Sequence, residues 1–69
     1  MKFEILDHTG HTVIEFKPEE TEQALAKFKE LVGLGHTPAN KEPDGGYTVN
    51  REFDPTKEET LFVPRLKGG

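Results

Sequence analysis

The chain has 69 residues, a formal net charge of −4, no cysteine and a hydrophobic fraction of 32%, which admits one small domain and excludes disulfides, thiolate metal sites and a cysteine nucleophile. Its acidic balance offers no basic stripe for a phosphate backbone, so nucleic acid is not an expected partner. No apolar run approaches the ~18 residues of a membrane span, and residues 1–7 carry charges where a secretion signal needs an unbroken apolar core, so a cytoplasmic protein is expected, with no membrane partner.

Residues 1–7 alternate, with Met1, Phe3 and Ile5 on one face and Lys2 and Glu4 on the other, the period of a half-buried strand. His8, Thr9 and Gly10 supply a turn. Residues 12–16 read as a second strand, Ile14 and Phe16 sharing a face opposite Glu15. An N-terminal β-hairpin is therefore expected.

The stretch KPEETEQALAKFKELVGLG follows. Pro18 is tolerated in a first helical turn, and Glu19, Glu20 and Glu22 complement the positive end of the helix dipole. Leu25, Phe28, Leu31 and Val32 recur at three- and four-residue intervals beside Ala24, giving one apolar stripe. Gly33 or Gly35 would end the helix in the left-handed cap position.

Residues 36–41 carry a weaker strand pattern, and Pro38, which lacks a ladder donor, places that strand at an edge. Glu42, Pro43, Asp44, Gly45 and Gly46 compose a loop. Residues 47–53 alternate again, with Tyr47, Val49 and Phe53 on one face. Asp54 and Pro55 suit the cap and first position of a single helical turn. Residues 60–63 form the last strand, Leu61 and Val63 pointing one way and Phe62 the other. With the helix over the Leu61 face, Phe62 is either an exposed aromatic anchor for a partner or packs against an edge loop. The order strand, strand, helix, strand, strand, strand implies an α+β domain over residues 1–64, one helix across one face of a mixed sheet of four to five strands.

The closing segment KEETLFVPRLKGG resembles that of the ubiquitin family, which also runs Lys-Glu-x-Thr-Leu into a short strand and ends Arg-Leu-Arg-Gly-Gly. The match holds at Lys57, Glu58, Thr60 and Leu61 and again at Arg65, Leu66, Gly68 and Gly69. Lys67 stands where the family has arginine, the spacing between the two blocks is one residue shorter, and Pro64 replaces an aliphatic residue, so the last strand would end earlier. A terminal Gly-Gly behind an apolar strand is also shared with bacterial sulfur carriers. The resemblance implies a β-grasp fold with residues 65–69 as a flexible tail. It also implies an activity performed on the chain rather than by it: a partner enzyme adenylates the terminal carboxylate. Gly69 would carry that carboxylate and Gly68 the clearance for a narrow slot. Arg65 and Lys67 would meet acidic groups of the partner, with Leu66 an apolar anchor between them. The chain would be a non-enzymatic monomer needing no cofactor. The alternative is a solvated tail without a duty, on an interaction module that binds through its open sheet face or on an accessory protein of a phage or operon.

Other constellations are poorer. Asp7, His8 and His11 flank the first turn, but two imidazoles and one carboxylate across a tight turn lack a third firm ligand type, so no metal site is assigned. Serine is absent, which removes a serine nucleophile. PDGG lacks the lysine and the strand-to-helix setting of a phosphate loop.

Overall fold

The computed structural model describes residues 1–7 and 10–64. These form β1 (Lys2–Asp7), β2 (Gly10–Glu15), a 3-10 turn (Pro18–Glu20), α1 (Thr21–Gly33), β3 (Thr37–Lys41), β4 (Tyr47–Val49) and β5 (Glu59–Val63). The strands lie side by side in the order β2-β1-β5-β3-β4. β1 pairs antiparallel with β2 and parallel with β5, while β3 is antiparallel to both β5 and β4. The protein is thus an α+β domain with one helix and a mixed five-stranded sheet.

The hairpin forms where alternation predicts it, in continuous register from Lys2↔Glu15 to Asp7↔Gly10. Beyond β2, Phe16 exchanges hydrogen bonds with the chain start, its N–H donating to Met1 O at 2.7 Å and the Met1 amine donating to Phe16 O at 3.0 Å. The Lys17 N–H then donates to Glu20 Oε1 at 2.8 Å, so a carboxylate holds the entry to the helical segment. Ala24, Phe28 and Leu31 of α1 are buried, on the stripe that their spacing predicts.

The left-handed cap that ends the helix is Gly35 rather than Gly33, which is the last helical residue. Gly35 has φ +97°, its N–H donates to Val32 O at 3.0 Å, and the His36 N–H reaches back to Leu31 O at 3.1 Å. This paired capping satisfies two carbonyls that the helix end would leave open, and it requires the left-handed backbone that glycine adopts without a Cβ clash.

Between helix and sheet lies an aromatic core. Phe3 touches Phe62, Phe16 and Phe28 at ring-centroid distances of 4.9, 5.1 and 6.5 Å, and Phe28 touches Phe53 and Phe62 at 5.5 and 5.6 Å. All five phenylalanines of the sequence therefore join one network, mostly edge to face, as ring quadrupoles prefer. Burying each aromatic side chain stabilises the fold by roughly 1.5–3 kcal/mol before chain entropy is counted.

Four expectations from the sequence need correction. Phe62 is not an exposed anchor: it is fully buried, and β5 turns Thr60 and Phe62 toward the helix while Leu61 and Val63 face away. The cause is that Leu61-Phe62-Val63 is apolar on both faces, so alternation alone cannot choose. β3 is not an edge strand, for it lies between β5 and β4 with Pro38 buried. The ladder tolerates this proline because its nitrogen faces β4 just beyond the last paired residue, Val49, and the Asn50 N–H still donates to Pro38 O at 3.1 Å. The strand expected over residues 47–53 stops at Val49, where the Asn50 side chain accepts the Glu52 N–H at 3.0 Å and bends the chain. That bend swings Phe53 off the Tyr47–Val49 face and into contact with Phe28. Finally, residues 54–57 form a turn rather than a helical turn. The Asp54 carboxylate accepts the Thr56 hydroxyl at 2.6 Å and the Thr56 N–H at 2.9 Å.

Candidate functional site

The residues that the sequence singles out for activation and partner contact, Gly69, Gly68, Arg65, Leu66 and Lys67, lie outside the described residues, as does His8. What the structure does place is the strand that leads to them. β5 is the central strand, held by β1 on one side and β3 on the other, and its last residue, Val63, is paired with Thr37. The chain continues through Pro64, which is half-buried.

The face of the sheet turned away from α1 can be built residue by residue. Because Phe3 and Ile5 point into the core, Lys2, Glu4 and Leu6 point outward, and cross-strand partners share a face. Glu4 is opposite Val13 and Leu61, Leu61 is opposite Ala39, and Ala39 is opposite Val49. One row thus crosses the whole sheet as Val13, Glu4, Leu61, Ala39, Val49. Val13, Tyr47 and Val49 are 47%, 51% and 59% exposed, while Leu6, Leu61 and Val63 are half-buried.

One end of this face is charged. Lys2 Nζ lies 3.9 Å from Glu4 and 3.6 Å from Glu59, and Lys41 Nζ lies 3.6 Å from the other Glu59 oxygen. These pairs are partly exposed, and each contributes less than about 1 kcal/mol. An open sheet face is expected from the sequence, but with Phe62 rather than Leu61 on it, because Leu61 is there given to the core. The signal was present, however: Val13-Ile14 and Leu61-Phe62-Val63 each put apolar side chains on both sides of a strand.

A depression of about 520 Å³ lies at the start of β5, lined by Lys41, Glu42, Pro43, Thr56, Lys57, Glu58 and Glu59. Its cations are occupied, since Lys57 Nζ is 3.3 Å from Glu42 and Lys41 pairs with Glu59. The Asp54 carboxyl is held below its ordinary value of 3.8 by the Thr56 hydroxyl, then by the Thr56 N–H, with Lys57 adding a smaller pull against weak desolvation. That shift belongs to a turn, not to a reacting group. Among the described residues no cluster of three or more His, Cys, Asp or Glu side chains gathers to hold a metal ion, and no helix is long and apolar enough to cross a membrane.

No known protein family, curated protein or solved structure matches the chain. The functional reading therefore rests on the chain's own residues and geometry.

Proposed function

We propose that this protein is a small carrier or modifier of β-grasp type, whose Gly69 carboxylate is activated by a partner adenylating enzyme. The supporting observation is the strand order β2-β1-β5-β3-β4 with one helix on one face. In that order the segment RLKGG follows one residue, Pro64, after the central strand, which is paired on both sides. A tail offered to another protein's slot needs such a fixed root, because a frayed final strand would add its own ordering entropy to every encounter. Two terminal glycines supply the clearance that a narrow adenylating site demands.

The chemistry balances without any catalytic group on this chain. A Gly69 carboxylate oxygen attacks the α-phosphorus of ATP and pyrophosphate leaves. A hydrosulfide or a thiolate then attacks the acyl carbon and AMP leaves with the bonding pair to oxygen, so that a thiocarboxylate remains from hydrosulfide, after loss of its proton, and a thioester from a thiolate.

The test is to incubate the protein with ATP and its host's adenylating enzyme and to follow ATP–pyrophosphate exchange and intact mass. Exchange that depends on the protein, and a mass gain corresponding to sulfur in place of oxygen or to a conjugate, is the expected result. Removal of Gly68 and Gly69 abolishes both. An unaltered protein with no exchange overturns the reading.

The row Val13–Leu61–Val49 favours a second reading, an interaction module that docks a protein on its open sheet face. Val49→Lys separates the two. It leaves adenylation of the tail intact under the first reading and abolishes partner binding under the second, whereas the Gly68–Gly69 deletion does the reverse.

A further inference from the structure

We propose that β2 is a self-complementary edge through which two copies of this chain join their sheets into one, antiparallel, about a two-fold axis at Val13. The inference starts from ladder arithmetic. Met1 and Phe16 exchange both backbone hydrogen bonds, and in an antiparallel pair such residues alternate with pairs that do not. Phe3↔Ile14 and Ile5↔Thr12 therefore bond across β1–β2, and the N–H and C=O groups of His11, Val13 and Glu15 point away from the sheet. Among the described residues no strand pairs with that side of β2.

Edges of this kind are usually blunted by brevity, proline, lysine, a bulge or a covering loop. β4, the other edge, is blunted: it has three residues, with Gly45 and Gly46 before it and the Asn50 bend after it. β2 has six residues in unbroken register, is exposed along nearly its whole length, and carries Thr12, Val13 and Ile14, the β-branched types that strands favour. It contains no proline and no lysine.

The side chains specify the occupant. Centred on Val13, an antiparallel copy sets Val13 against Val13, Thr12 against Ile14, and His11 against the second copy's Glu15, with the same contact repeated by symmetry. His11, Val13 and Glu15 all carry outward-pointing backbone groups, so each of these three pairings closes both of its hydrogen bonds. On the open face an imidazole N–H meets a carboxylate at both ends and two valines meet in the middle. Gly10, next along, has no side chain to obstruct the second copy's Phe16. The monomer expected from the sequence took no account of this edge.

Sedimentation velocity over a concentration series is the first measurement, and the expected result is a reversible shift from one copy to two. Val13→Pro removes only an outward-pointing N–H, so the hairpin ladder stays intact while dimerisation is lost. His11→Glu sets like charges opposite each other at both ends and weakens dimerisation about tenfold. Adding Glu15→Lys to His11→Glu restores it, which a merely structural role of either residue would not produce. Circular dichroism confirms that each variant is folded. Isotope-filtered NMR on a mixed-label sample is expected to show contact between the Thr12 and Ile14 α-protons of different copies. A protein that stays monomeric at every concentration overturns the proposal. So does dimerisation that Val13→Pro or His11→Glu leaves unchanged, or a double variant as weak as His11→Glu.

Discussion

The Thr60 hydroxyl donates to the Asn40 side-chain oxygen at 3.0 Å, and both side chains are buried on the helix-facing side of the sheet. The two residues are cross-strand partners on β5 and β3. A polar pair thus fixes the register of the central strand inside an otherwise apolar layer.

Thr60→Val is expected to destabilise the protein by about 1–3 kcal/mol, because the Asn40 amide loses its partner while staying buried. Combining it with Asn40→Leu recovers most of that loss, since two apolar groups leave nothing unsatisfied. Urea unfolding of the two single variants and the double variant, read as a double-mutant cycle, checks the coupling.

Phe62→Ala removes the ring that touches both Phe3 and Phe28, and a loss of about 3–5 kcal/mol is expected. Leu61→Ala, one residue away on the open face, is expected to cost no more than about 1 kcal/mol. A reversed ranking in thermal melts would mean that β5 presents its other face to the helix.

Gly35→Ala forces a Cβ into the left-handed cap at φ +97° and is expected to destabilise by about 1–2 kcal/mol. Gly33→Ala, at a helical position with open space around a new Cβ, is expected to be neutral or to stabilise by up to about 1 kcal/mol. Chemical denaturation of the two variants side by side distinguishes the glycine that caps from the one that does not.

The Asp54 carboxyl titrates below its ordinary value of 3.8. A depressed folded-state pKa adds stability that is fully present above the unfolded value and is lost as pH falls through the folded one. Asp54→Asn should therefore match the wild type in the acid limit, fall progressively behind it as pH rises toward the unfolded value of about 4, and trail it by a constant amount above that. Unfolding midpoints collected from acid to neutral pH, with the wild-type minus variant difference growing upward through that window, are the readout. A difference independent of pH would remove the Thr56 hydrogen bonds as its source.

The hairpin and the helix were legible because their apolar spacing is unambiguous: Phe3 and Ile5 against Lys2 and Glu4, and Phe28 and Leu31 along one stripe. β5 was not, because Leu61, Phe62 and Val63 are equally apolar and the residue that decides the face, Thr60, is polar yet buried through a partner twenty positions away. Pro38 misled in another way. Its missing donor signals an edge, but the gap falls where β4 has already ended. The candidate site divides along similar lines. The tail chemistry is read from residues 57–69, whereas the residues of the open face emerge only when strand order brings Val13, Leu61 and Val49 into one row, and the β2 edge only when that order leaves one side of β2 unpaired among the described residues.

The parallel pairing of β1 with β5 carries a consequence for how the protein folds. β5 alone bridges the β1–β2 hairpin to the β3–β4 hairpin, and an isolated hairpin is marginal in water. The two halves of the sheet therefore become one cooperative unit only when β5 docks between them. By the same token, extracting β5 splits the sheet into two hairpins, neither of which persists alone.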